Sequence, residues 1–232
     1  MTFSIAARCE RTQMFGVAIA TRPIAIGAKC PFVRAQVGAL VVQANGDPRL
    51  GPLGLNLLEM GYSAEKVVDE LAASDGEENI EWRQIGVVDK DGRSAARTGA
   101  HNEDWKGHVC RRNFVALGNR LTSERTVSAM ADAFEASVAD TLEERLMLAI
   151  ESGRDAGGQV KGQHSAALVV QNRKSYAWVD LRVDDSDEPV GELRRILELY
   201  KPLIPYYDTR PANPSLPRDD VWRVEQGLKP WR

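Results

Sequence analysis

The chain has only three cysteines in 232 residues, Cys9, Cys30 and Cys110. They form an odd set without CxxC spacing, so no disulfide framework is expected and the thiols read first as packing residues. No apolar run approaches the roughly 18 residues of a membrane span. No charged, then apolar, then small-residue segment marks a secretory signal, so the expectation is a cytoplasmic protein with no membrane partner. Basic charge is not in excess. A formal net charge of −3 and a pI near 5.7 argue against nucleic acid as a partner and leave a small-molecule substrate as the expected one. Also missing are the GxxxxGK[ST] phosphate loop, HExxH, the GxSxG elbow and GxGxxG after a strand. His101, Asp104, His108 and Cys110 match no usual zinc spacing, so neither a metal nor another cofactor is expected. The acidic run Asp184, Asp185, Asp187 and Glu188 reads as a complement to the positive end of the helix that follows it.

What is present is ordinary in bulk, with 43% hydrophobic and 27% charged residues, as in soluble globular domains. Short β-branched or alternating runs predict strands over residues 1–8, 14–22, 38–44, 82–88, 93–98, 107–117, 165–171 and 175–183. Helical spacing predicts helices over 50–61, from Ser63 onward, around Val127–Val138, after a capping box at Thr141 and Glu144, and from Pro189. Gly157-Gly158 should end the fourth. Strands in runs, with helices grouped between them, predict an α+β layered fold of two central sheets with helical layers outside. We expect one domain over residues 1–202. Beyond it, 203–232 is an extension rich in proline and aromatics, in which Pro202, Pro205, Pro211, Pro214, Pro217 and Pro230 should prevent regular structure. Its Tyr206, Tyr207, Trp222 and Trp231 should pack it on the domain or on a second subunit, and a homo-oligomer is expected.

The first strand carries the chemistry. Phe3 and Ile5 alternate with Thr2, Ser4 and Ala6, so one face is apolar and the other bears two hydroxyls. If Met1 is removed, the new α-amine lies within one residue of the Thr2 hydroxyl. With a reference pKa of roughly 7.7–8.0 it can act as that hydroxyl's own base. The plain alternative is a threonine in an edge strand that faces water or bonds the backbone. Ser4 is a second hydroxyl without the adjacent amine. Asn119, after Gly118, is placed to donate to a developing oxyanion or simply to end a strand. Arg22 and Gln43 end apolar strands, Asn45 lies in the polar turn after one, and Gln163 and Ser165 open another.

These stretches together resemble the family called domain of unknown function 1028, grouped with the N-terminal nucleophile hydrolases. The matching segments include Thr2-Phe3-Ser4-Ile5-Ala6-Ala7, Gly16-Val17-Ala18, Val37-Gly38-Ala39 with Gln43-Ala44, Arg83-Gln84-Ile85-Gly86-Val87-Val88-Asp89, Trp105-Lys106-Gly107-His108, Gly118-Asn119, Gln163-His164-Ser165-Ala166-Ala167-Leu168 and Val179-Asp180-Leu181-Arg182. The resemblance implies a four-layer αββα sandwich of the N-terminal nucleophile hydrolase type. It also implies hydrolysis of a small amide or related C–N bond, with Thr2 as nucleophile after loss of Met1, Asn119 as oxyanion donor, and Ser4, Arg22, Gln43, Asn45 and Ser165 lining the pocket. The competing reading is a ligand-binding or assembly module on the same fold, without catalysis.

Overall fold

A computed structural model describes residues 1–229. Pro230 and Trp231 lie outside the described residues. The chain divides into two compact units, one of Met1–Leu193 and one that begins at Arg194.

The strands in chain order are β1 (Thr2–Arg8), β2 (Phe15–Thr21), β3 (Pro31–Arg34), β4 (Gly38–Ala44), β5 (Arg83–Asp89), β6 (Ser94–Thr98), β7 (Gly107–Arg111), β8 (Phe114–Asn119), β9 (Ser165–Gln171) and β10 (Ala177–Val183). The helices are α1 (Leu50–Glu59), α2 (Ala64–Asp75), α3 (Glu77–Ile80), α4 (Arg125–Ala136), α5 (Leu142–Asp155), α6 (Pro189–Tyr200), α7 (Ile204–Thr209) and α8 (Asp219–Glu225). One sheet has the order β10-β9-β2-β1-β8-β7 and the other β3-β4-β5-β6, with every neighbouring pair antiparallel.

Side-chain alternation sorts each strand between two cores. Ala6, Val17, Ile19, Val115 and Leu117 of the larger sheet meet Ala39, Val41 and Val88 of the smaller one in a single buried cluster. The opposite faces of β4 and β5, Leu40, Val42, Ile85 and Val87, pack with Leu55, Leu58, Val67 and Leu71 of α1 and α2. On the far side of the larger sheet lie α4 and α5, whose apolar stripes include Val127, Met130, Phe134, Leu146 and Ile150. The result is the four-layer αββα sandwich. No helix among the described residues is long and apolar enough to cross a membrane.

Ser63 caps α2 by accepting from the Lys66 backbone N–H at 3.3 Å, and Gly157 and Gly158 end the α5 segment at φ +116° and +53°. Several expectations need correcting. The stretch 107–117 is not one strand. It is the hairpin β7–β8, turned at Arg112-Asn113, and Asn113 takes the left-handed φ of 71° that the turn requires. The irregular region 24–34 contains β3, whose side chains are half-buried at the end of the smaller sheet. Thr141 occupies the N-cap of α5 but its hydroxyl makes no capping bond. Its carbonyl alone starts the helix by accepting from Arg145 N–H at 3.0 Å.

In the second unit the prolines do not abolish regular structure. Pro205 falls in the first turn of α7, where an absent N–H costs nothing. Tyr206 is buried, with ring contacts to Tyr207 at 5.4 Å and Trp222 at 5.2 Å. Its hydroxyl donates to the Pro217 carbonyl at 3.0 Å.

Candidate active site

β1 is a central strand, with β2 on one side and β8 on the other, so Thr2 is not an edge residue. Register places Thr2 directly between Thr21 and Asn119. Side chains at paired positions share a face, and this face looks into the space between the sheets. All three residues are buried. The Thr2 and Thr21 hydroxyls are 2.9 Å apart, and Thr21 Oγ1 donates to the Met1 carbonyl. Because Thr21 has one hydroxyl proton and gives it to Met1, Thr2 is the donor in the first bond. A short relay therefore runs from the Thr2 hydroxyl through Thr21 to the peptide group that precedes Thr2.

Beneath it lies a polar seam within the otherwise apolar intersheet core. Ser4 Oγ donates to Gln43 Oε1 at 2.6 Å, and Gln43 Nε2 donates to Gln84 Oε1 at 2.7 Å. The same Gln84 oxygen accepts from Asn119 Nδ2 at 3.0 Å. Gln84 Nε2 spreads its two protons over the Gly118 carbonyl at 2.8 Å, Thr98 Oγ1 at 3.0 Å and the Gly107 carbonyl at 3.1 Å. Ser4, Gln43 and Gln84 have no solvent exposure. Such a seam is tolerable only because its members satisfy one another. It ties β1, β4, β5 and β8 at one end of the sandwich and fixes the Asn119 amide, using one of its two N–H groups and leaving the other.

Met1, Ala44, Asn45, Trp82, Asn119 and Arg120 wall a cleft of about 110 Å³ above this seam. Ala44 and Arg120, at the ends of β4 and β8, have left-handed φ of 69° and 51°. That geometry costs a non-glycine residue roughly 1–2 kcal/mol and concentrates at functional sites. Burial, and then the nearby Arg120 charge, push the Met1 α-amine below its ordinary value of 8.0, while Glu103 and Cys30 oppose the shift. Arg120 is itself paired with Glu103 at 2.9 Å. The Cys30 thiol is held by burial at about 12, so it is protonated near neutral pH.

Of the residues singled out in the sequence, the structure joins Ser4, Gln43 and Asn119 through Gln84, sets Thr2 beside Asn119 by register with its hydroxyl bonded to Thr21, and puts Asn45 on the cleft wall. Arg22 is exposed and donates to the Lys161 carbonyl at 2.9 Å, with no bond to this group. Ser165 pairs with Thr21 across β9 and β2. Its hydroxyl is committed to the Pro23 carbonyl at 2.7 Å and to the Ile26 N–H at 3.2 Å, which fixes the turn after β2. Gly118 answers a packing need: a Cβ there would sit 2.5 Å from Leu121 Cδ1 and 3.1 Å from the Thr2 carbonyl oxygen. Thr21 and Gln84 escape a reading of single motifs. Their signal is a polar residue on the inward face of an apolar strand, in FGVAIAT and RQIGVVD.

The profile of a family of unknown function, DUF1028, matches residues 2–193. Among solved structures, the crystal structure of a DUF1028 protein from Silicibacter pomeroyi is similar at 31% identity and TM-score 0.79, covering 86% of this chain and 89% of that one. Anbu (ancestral beta-subunit) from Yersinia bercovieri aligns over 89% of this chain and 96% of its own at 12% identity and TM-score 0.37, a likeness too slight to carry an argument. No curated protein matches the chain.

Proposed function

The chain belongs to the DUF1028 family, and for it we propose hydrolysis of a small amide or related C–N bond by Thr2 acting as an N-terminal nucleophile once Met1 has been removed. One observation carries the reading. The Thr2 hydroxyl, first in a central strand, is bonded to the Thr21 hydroxyl, which in turn reaches the peptide group whose nitrogen becomes the α-amine when Met1 leaves.

In that form the α-amine takes the Thr2 hydroxyl proton, directly or through Thr21, as Oγ1 adds to the substrate carbonyl carbon. The carbonyl π electrons move to oxygen, and the second Asn119 Nδ2–H stabilises the oxyanion. Collapse expels the amine, which takes the proton from the α-ammonium and leaves an ester on Thr2. Water, deprotonated by the same amine, then adds to the ester, and loss of the carboxylic acid restores the hydroxyl. Burial favours the neutral, basic form of the amine. Gln84 positions Asn119 by accepting from it. Ser4 and Gln43 hold the seam beneath, and Asn45 and Arg120 offer polar groups to the substrate.

A second reading, a ligand-binding module without catalysis, is favoured by the commitment of the Thr2 hydroxyl proton to Thr21 while Met1 is in place. Hydrolysis of a panel of small acyl anilides by wild type, Thr2→Ser and Thr2→Ala separates the two. The hydrolase reading expects turnover by wild type, reduced turnover by the serine form, and a loss of about a thousandfold or more in the alanine form. Equal turnover by Thr2→Ala and wild type would remove Thr2 from the chemistry.

A further inference from the structure

Arg8 closes β1 six residues after Thr2, about 20 Å along the strand. There a cavity of about 460 Å³ carries four arginines on its wall, Arg8, Arg11, Arg112 and Arg145, against two glutamates, Glu10 and Glu135. The glutamates do not neutralise the interior. Glu135 is engaged by Arg111, and exposed Glu10 reaches exposed Arg112 at 3.8 Å.

Arg8 and Arg145 are more than nine-tenths buried, and among the described residues neither has a carboxylate partner. The terminal nitrogens of Arg8 go to the neutral amide oxygens of Asn113 and Gln13, while its Nε is buried with no partner at all. Arg145 lies 3.8 Å over the Phe134 ring, donates twice to the Phe134 carbonyl and also meets the neighbouring Cys9 thiol. Its place near the end of α4 suits a cation. That accounts for one guanidinium, not for four on one wall. Burial pushes Arg145 below its ordinary value and Arg11 adds to the shift, while Cys9 and Asp140 oppose it without cancelling it. Buried charges are normally paired, and guanidinium groups match oxyanions in geometry as well as charge.

We infer that this cavity binds a small organic oxyanion, a phosphate monoester or a carboxylate, with its charged end among the arginines and an apolar or aromatic body against Phe134 and Val138. The site is separate from the cleft at Thr2 and stands independently of the hydrolase reading.

Isothermal titration of the full chain with phenyl phosphate and with benzoate, at constant ionic strength, tests it and distinguishes the two sources of the oxyanion. The expected result is saturable one-to-one binding of at least one probe that weakens as chloride is raised. Replacing rim arginines (Arg11→Gln with Arg112→Gln) should weaken it about tenfold or more, the consequence of losing charge-assisted hydrogen bonds, while Thr2→Ala leaves it unchanged. Both rim side chains are exposed, so the variant keeps its fold. Absence of saturable binding by both probes at millimolar concentration would overturn the inference, as would binding that the rim variant does not weaken.

Discussion

Replacing Gln84 with leucine removes the centre of the buried seam and strands its neighbours. Gln43 Nε2 and Asn119 Nδ2 lose their acceptor, at 2.7 and 3.0 Å, and the Gly118 carbonyl loses a donor at 2.8 Å. Thr98 keeps His108 at 2.9 Å and is spared. Each buried polar group left unsatisfied costs roughly 1–3 kcal/mol. With partial relaxation the loss should be about 3–6 kcal/mol, a large share of the roughly 5–15 kcal/mol that holds a typical domain together. Urea unfolding at neutral pH reads it as a lower midpoint at constant slope. Gln43→Leu breaks the same bond from the other side, so in the Gln43→Leu/Gln84→Leu protein the Gln43 Nε2 left without its acceptor no longer exists. The double variant should therefore lose less than the sum of the singles by about 1 kcal/mol. A Gln84→Leu cost under about 1 kcal/mol, or full additivity of the pair, would refute the idea that these amides depend on each other.

Gly118→Ala forces a Cβ to within 2.5 Å of Leu121 Cδ1 and 3.1 Å of the Thr2 carbonyl. It should cost about 1–3 kcal/mol and lower hydrolytic rate by displacing Thr2, and an unchanged urea midpoint would contradict this. The Cys30 thiol, pushed up to about 12 by burial, should resist iodoacetamide at pH 8 in the folded protein and react once urea unfolds it; peptide mass mapping that finds Cys30 modified in the native state would count against the assignment. If the α-amine of a processed Thr2 is the base and meets the burial and Arg120 charge that disfavour the ammonium of Met1 one residue away, kcat/KM should rise with pH through an apparent value below 8.0. Arg120→Gln removes a positive neighbour and should move that profile to higher pH; Glu103→Gln should move it lower. Shifts in the opposite sense would show that another group titrates.

The layers were legible because they follow from local pattern. Period-2 alternation in β1, the stripe Val127, Met130, Ala131 and Phe134 in α4, and paired glycines after α5 each encode one element without reference to the rest. The β7–β8 hairpin was not legible, because the break Arg111-Arg112-Asn113 between its strands carries neither glycine nor proline and only Asn113 marks the turn. The site was half legible. Thr2 and Asn119 stand out as residue types at strand ends, but their placement on opposite strands flanking one position depends on a register between β1 and β8 that no local pattern states. Gln84 reads in isolation as a polar residue in a strand; its role appears only when β4, β5 and β8 converge on it. Arg22 and Ser165 show the reverse case, since side chains suitable for a pocket were already committed to neighbouring backbone.

The most direct measurement is the mass of the N-terminal peptide of the protein expressed without a tag, after incubation with a small β-lactone, whose ring opens on an activated threonine hydroxyl to give an ester. The account predicts a peptide that begins at Thr2 and carries one lactone equivalent, with no adduct in the Thr2→Ala protein. A peptide that begins at Met1 and remains unmodified would contradict it, because the amine proposed as the base would not exist.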